Sequence, residues 1–175
     1  MYMGWTRKNI RRKKQRRKTR RKTRGKRGGG TELVVKYGLT KVSGQMLTNN
    51  SKTKPQIQLL NAPPTTNPFL VIMLDPDAPA GTWTHYVALL QPDGKVLAEP
   101  YKYQPPQPPP GTGAHRYIFT AYALPAAYEL PAAYALPAAY KNGHDYYTSV
   151  LQPWLAQKSN SKIIAEPVQF LAKNN

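Results

Sequence analysis

The sequence predicts a mainly β domain over residues 31–175, preceded by a separate polybasic segment over residues 1–30. Three observations carry this expectation. Apolar runs are short, the longest being the six residues Phe69 to Leu74, and glycine, proline, asparagine and aspartate separate them at close spacing. Eighteen prolines interrupt most stretches in which a helix could propagate. Charge is segregated: of a formal net charge of +18, fifteen units lie between Arg7 and Arg27, which holds no acidic residue. The rest is near neutral and of ordinary single-domain size.

The elements follow in order. Glu32 to Tyr37 is rich in β-formers and stops at Gly38, so it reads as a strand. Val42 to Leu47 is a weaker strand with an internal glycine, and Thr48 to Lys54 a polar loop. Pro55 to Leu60 alternates apolar and polar, as a half-buried strand does. Asn61 to Pro68 is a turn-rich connection. Phe69 to Leu74 is continuously apolar and predicts a central strand buried on both faces. Thr84 to Gln91 and Lys95 to Pro100 flank the turn Pro92-Asp93-Gly94 and form a strand pair. Residues 103–113, YQPPQPPPGTG, make a stiff loop, because proline fixes φ and lacks an N–H. His115 to Tyr122 is the next strand.

A repeat then interrupts the domain. LPAAY occurs at 124–128, 130–134 and 136–140, and a proline every six residues forbids a regular helix. In either polyproline II or extended geometry Tyr128, Tyr134 and Tyr140 align, which suits a surface insertion or a tyrosine-lined strip for a protein partner. Asp145 is a candidate helix cap. Tyr147, Val150, Leu151, Trp154 and Leu155 then share one helical face, which Pro153 kinks or restarts. His144, beside the repeat, reads as a surface residue. Lys162 to Lys173 is a final strand or two.

The polybasic segment repels itself and resists collapse. Arg11, Arg12, Lys13, Lys14, Arg16, Arg17, Lys18, Arg20, Arg21, Lys22 and Arg24 are candidate nucleic-acid contacts. They would act by counterion release with little sequence preference. A nuclear-localisation patch or an anchor on acidic lipid has the same composition. The lack of cysteine excludes a disulfide framework and fits an intracellular setting, cytoplasmic or nuclear. No apolar run approaches the length of a membrane span, and the N-terminus has no secretory h-region.

Chemistry concentrates between Asp75 and Tyr117, where aspartates, histidines and glycines stand at the ends of apolar runs. An imidazole N–H and a phenol O–H are good donors to a phosphate oxygen. A carboxylate beside them makes sense if it fixes a histidine tautomer. Taken singly, Asp75 and Asp77 read equally as Asx turns around prolines, and His85 as a satisfied core histidine. No short ligand spacing suggests a metal, no cofactor is expected, and nothing resembles an activated nucleophile, so an enzyme is not expected.

DPDAP (Asp75 to Pro79), Trp83 and His85 as W-x-H, and Pro108 to Tyr117 resemble motifs of the phosphatidylethanolamine-binding protein family, which includes Raf kinase inhibitor proteins. LVVKYG, VSGQML, PQI and FLVIMLDPDAP are similar to its upstream pattern. The resemblance implies a large central β-sheet, a smaller second sheet and peripheral helices. It also implies an anion pocket at the strand ends that takes phosphate, acetate or a phospholipid head group. Its matching positions are Asp75, Asp77, His85, Tyr103, His115 and Tyr117. The expected function is therefore a non-catalytic anion or head-group binder that regulates another protein. The alternative is a structural, nucleic-acid- or virion-associated protein acting through its basic arm. If near-unperturbed histidines hold the anion, binding weakens as pH rises from about 5.5 to about 8. Three departures stand out: only AGT separates DPDAP from Trp83, Pro105 falls where relatives usually carry glycine, and no clear match to the family's C-terminal helix is present.

Overall fold

The computed structural model describes residues 30–47, 49–63, 67–124, 142–157 and 162–173. The polybasic segment and the three LPAAY units lie outside the described residues, apart from Gly30 and Leu124.

Two antiparallel sheets form the domain. The smaller contains β1 (Glu32–Tyr37), β2 (Thr40–Lys41) and β3 (Gln56–Leu60), in the order β2-β1-β3. The larger contains β4 (Phe69–Asp75), β5 (Trp83–Leu90), β6 (Val96–Tyr101), β7 (Ala114–Ala123) and β8 (Val168–Lys173), in the order β6-β5-β4-β7-β8. β4 is central, as its continuous apolar run predicts. The β1–β2 turn is Gly38-Leu39, with Gly38 at φ 59°, the left-handed value that glycine accepts at the first position of a two-residue hairpin. Leu39, at its tip, is fully exposed.

The large sheet buries both faces, and residue parity assigns them. Phe69, Val71 and Met73 of β4 join Tyr117, Phe119 and Ala121 of β7 in a core against the small sheet. Leu70 and Ile72 turn to the opposite face and pack with Tyr146, Leu151 and Trp154. Burying each such large apolar side chain contributes about 1.5–3 kcal/mol.

The cover for that second face is α1 (Gly143–Tyr146), a π turn (Tyr147–Leu151) and α2 (Gln152–Ala156). The cap expected at Asp145 is instead Asn142, whose Oδ1 accepts the N–H groups of His144 and Asp145 at 2.9 and 3.0 Å. Pro153 lies in the first turn of α2 and cannot donate to the preceding ladder. There the ladder widens, and the Gln152 N–H reaches back to the Tyr147 carbonyl.

Val42 to Leu47 does not form the expected strand. The segment runs parallel to the outer edge of β8, with Met46 bridged to Leu171. The N–H groups of Gly44 and Leu47 donate to the Gln169 and Leu171 carbonyls, each at 2.8 Å. Among the described residues, no helix is long and apolar enough to cross a membrane.

Candidate functional site

Strand parity also builds the site. Asp75 ends β4 on the face of Met73, while His115, the second residue of β7, lies on the face of Tyr117. Both point towards the small sheet at the same end of the large one. His85 reaches them by a different route. Met73 pairs with Tyr86 but Leu74 pairs with Thr84, so His85 is the extra residue of a β-bulge. A bulge leaves one residue unpaired and re-aims its side chain. Here it brings His85 to Tyr117, the rings lying edge to face with centroids 5.0 Å apart.

The polar contacts are specific. His115 Nδ1 lies 2.8 Å from Asp75 Oδ2, and the two residues are 1% and 2% exposed. The other His115 nitrogen, Nε2, lies 2.8 Å from Thr112 Oγ1. The remaining Asp75 oxygen accepts the Asp77 N–H at 2.8 Å, an Asx turn that coexists with the histidine contact. His85 Nδ1 donates to the Gln104 carbonyl at 3.0 Å, and the Gln104 N–H returns a 2.8 Å bond to the His85 carbonyl. With Nδ1 committed, Nε2 is the His85 nitrogen left for a ligand. Desolvation by burial holds His85 below the ordinary histidine pKa.

A cavity of about 470 Å³ opens beside these groups. Asp75 and His85 supply its charged and titratable lining, Gln104 and Gln107 its neutral polar groups, and Trp83, Pro79, Pro105 and Pro109 much of its wall. Pro105 brings no N–H to the cavity. α1 presses on this wall from outside. Gly143 sits against the Trp83 indole and the Thr84 carbonyl so closely that no Cβ fits. His144 is half-buried rather than a surface residue, its Nδ1 donating to the Thr82 carbonyl at 3.2 Å.

The expected residues divide into groups. Asp75 and His85 line the cavity, while His115 and Tyr117 stand behind them. Burial, and then the Asp75 charge, raise the Tyr117 pKa, and its hydroxyl makes no well-formed hydrogen bond. Asp77 is turned away. Its carboxylate takes the Arg116 guanidinium through two bonds, at 2.9 and 2.6 Å, and its pKa is lowered to about 2, chiefly by that contact. Tyr103 is directed elsewhere too, donating to the Ser51 carbonyl at 2.6 Å and meeting the Tyr37 hydroxyl at 3.0 Å, with burial raising its pKa to about 12. The sequence reading missed Gln104 and Thr112 as the groups that orient the two imidazoles. The stiff loop around them was the available signal. Among the described residues, no three His, Asp or Glu side chains are grouped to hold a metal ion.

The comparisons with known proteins agree with this architecture. The sequence profile described as "Phosphatidylethanolamine-binding protein" matches residues 29–166. A UPF0098 protein of Aquifex aeolicus is 36% identical over 90 residues, covering 40% of this chain and 53% of that protein. The carboxypeptidase Y inhibitor of Saccharomyces cerevisiae is 29% identical over 118 residues, covering 45% of this chain and 54% of the inhibitor. The chain thus spans about half the length of the curated relatives it matches. Among solved structures, carboxypeptidase Y inhibitor complexed with its cognate proteinase superposes with a TM-score of 0.64 at 20% identity, over 83% of this chain and 84% of that one. The phosphatidylethanolamine-binding protein of Plasmodium vivax gives 0.66 at 15% identity, over 83% and 86%. At these identities the structures speak for the fold, and the profile for the family. With more than half of its length matched, the chain belongs to the phosphatidylethanolamine-binding protein family.

Proposed function

We propose that this domain binds a small anion, either a phosphate-bearing molecule or a phospholipid head group, without converting it, and so regulates another protein. The carrying observation is the convergence of Asp75, His85 and His115 from three strands beside a cavity with a polar floor and apolar walls. Imidazole is a suitable donor to an oxyanion, and the walls suit the organic part of its bearer.

A binding rather than catalytic role is supported by Thr112. Asp75, His115 and Thr112 are linked in series, the order of an activated hydroxyl. The Thr112 hydroxyl, however, donates its one proton to the Pro109 carbonyl at 2.8 Å rather than to the imidazole. A role towards a protein partner is supported by similarity to an inhibitor solved in complex with its proteinase.

The test is titration of the ¹⁵N-labelled protein with inorganic phosphate and O-phosphoethanolamine. Saturable shifts confined to Trp83, His85 and Gln104, absent in His85→Gln, are expected. Shifts scattered over surface lysines, or none, would reject the reading.

The basic segment favours a second role, since fifteen cationic residues between Arg7 and Arg27 suit a polyanion such as nucleic acid. Deleting residues 1–30 is expected to abolish DNA binding. In the full chain log affinity should fall with log salt, with a slope of about −0.9 per phosphate neutralised. Undiminished binding after the deletion would remove this role.

A further inference from the structure

Five of the seven residues from Gln104 to Pro110, in the loop between β6 and β7, are prolines. Each fixes its own φ and pushes the residue before it into extended backbone. Pro105, Pro108 and Pro109 both are prolines and precede one, so their two dihedrals are set to polyproline II values. That helix has three residues per turn, and burial follows the same period. Pro105 is half-buried and Pro108 buried, so one edge turns inward. Gln104, Gln107 and Pro110, on the next edge, are all exposed. Pro106 is half-buried and Pro109 exposed on the third. Both ends of the ridge are fastened. Gln104 exchanges two bonds with His85, at 2.8 and 3.0 Å, and the Pro109 carbonyl accepts from the Thr112 hydroxyl at 2.8 Å. The ridge is therefore stiff before anything binds, and docking on it orders little.

Its exposed edges have a one-sided chemistry. They offer pyrrolidine faces and backbone carbonyls but few donors. Five of the residues lack an N–H, the Gln104 N–H is taken by His85, and that of Gln107 faces the Tyr117 hydroxyl. A β-strand laid along the ridge would need the N–H groups that proline lacks. A polyanion would need cations, and Lys102 is the only one from Tyr101 to Ala114. A second copy of this chain would have to supply exposed aromatic rings, and none of the exposed large apolar side chains among the described residues is aromatic.

We propose that residues 104–110 form a docking ridge for another protein, one whose module grips polyproline II segments in an aromatic-lined groove. Tyrosine and tryptophan rings pack on pyrrolidine faces and give their O–H and N–H groups to the ridge carbonyls. The exposed Lys102, three residues before Pro105, sets a cation beside the ridge, which suits a groove flanked by carboxylates. This goes beyond the anion-binding role and does not depend on it, although Gln107 and Pro109, which also line the cavity, place the partner at its mouth.

The experiment titrates the full ¹⁵N-labelled chain with purified SH3, WW and EVH1 domains, comparing wild type with the double variant Pro106→Ala, Pro110→Ala. Neither proline lines the cavity. Saturable binding by at least one domain is expected, with amide shifts centred on Lys102, Gln107 and Gly111. The double substitution should weaken it about tenfold, while its amide spectrum away from the loop stays that of the wild type. The shift map is read on the wild-type protein, so it decides the matter even where the variant folds poorly. No binding by any of the three domains, shifts centred on another surface, or equal binding by the folded variant would overturn the proposal. Self-association in sedimentation that the double substitution abolishes would assign the ridge to a second copy of the chain, and would overturn it equally.

Discussion

The Asp75 carboxylate and the His115 imidazole lie 2.8 Å apart with almost no solvent contact, and the same carboxylate closes the turn at Asp77. One side chain thus joins β4 to β7 and shapes the loop between β4 and β5. Asp75→Ala removes both contacts and leaves a buried imidazole without its partner, so it should cost about 3–5 kcal/mol. Asp75→Asn keeps an oxygen for the Asp77 N–H and should cost less. Urea unfolding checks the order, and equal losses for the two would show that the turn adds nothing.

His85 makes stability depend on pH with a defined sign. Burial lowers its folded pKa below the unfolded value of about 6.5. Below 6.5 the unfolded chain binds a proton that the folded one resists. The contribution is therefore complete above about pH 6.5 and lost as pH falls through the lower folded value. Denaturation midpoints should drop over that interval in wild type, and the part due to His85 should vanish in His85→Gln. A midpoint insensitive to this substitution between pH 7 and pH 5 would contradict it. The burial also corrects the expectation of a near-unperturbed histidine, since the free-protein window lies lower.

Gly143→Ala places a methyl group into the Trp83 indole and the Thr84 carbonyl. The helix must lift or the indole move, at a cost of about 1–3 kcal/mol. Because Trp83 is also cavity wall, anion affinity should weaken along with stability. Calorimetric unfolding and phosphate titration of the same variant check both halves.

Gly94→Ala serves as the contrasting case. Gly94 has φ +94°, its Cβ would fall 2.5 Å from the Ile57 carbonyl oxygen, and it is not part of the cavity lining. Stability should drop by at least about 1 kcal/mol while anion affinity stays unchanged. A loss of affinity equal to that of Gly143→Ala would mean that both act through general loosening.

Much of this was legible in the chain because it is local. Phe69 to Leu74 announces a strand buried on both faces, and period-two parity along β4 and β7 sends Asp75, His115 and Tyr117 to one face. What depends on pairing between distant segments was not legible. The bulge that turns His85 is a property of the β4–β5 register, and no feature of β5 alone displays it. Tyr103 has the composition of a pocket residue, yet Ser51 and Tyr37 take its hydroxyl. Asp77 has the composition of a ligand group, yet Arg116 holds it. The helix cap shows the same competition at short range, with Asn142 three residues ahead of Asp145 and better placed for the free N–H groups.

The parallel seam between residues 44–47 and β8 has a kinetic consequence. β8 is held on one side by β7 and on the other by a segment from the opposite end of the domain. Contacts of such sequence separation carry a large loop-closure cost and form late. During refolding, the core between β4, β5 and β7 should gain amide protection first. The amides of Gly44, Leu47 and Leu171 should gain it together, in the final phase. β8 then acts as the closing element of the sandwich, and the time its arrival takes is the interval in which the edge of β7 away from β4 is open to pairing with another chain.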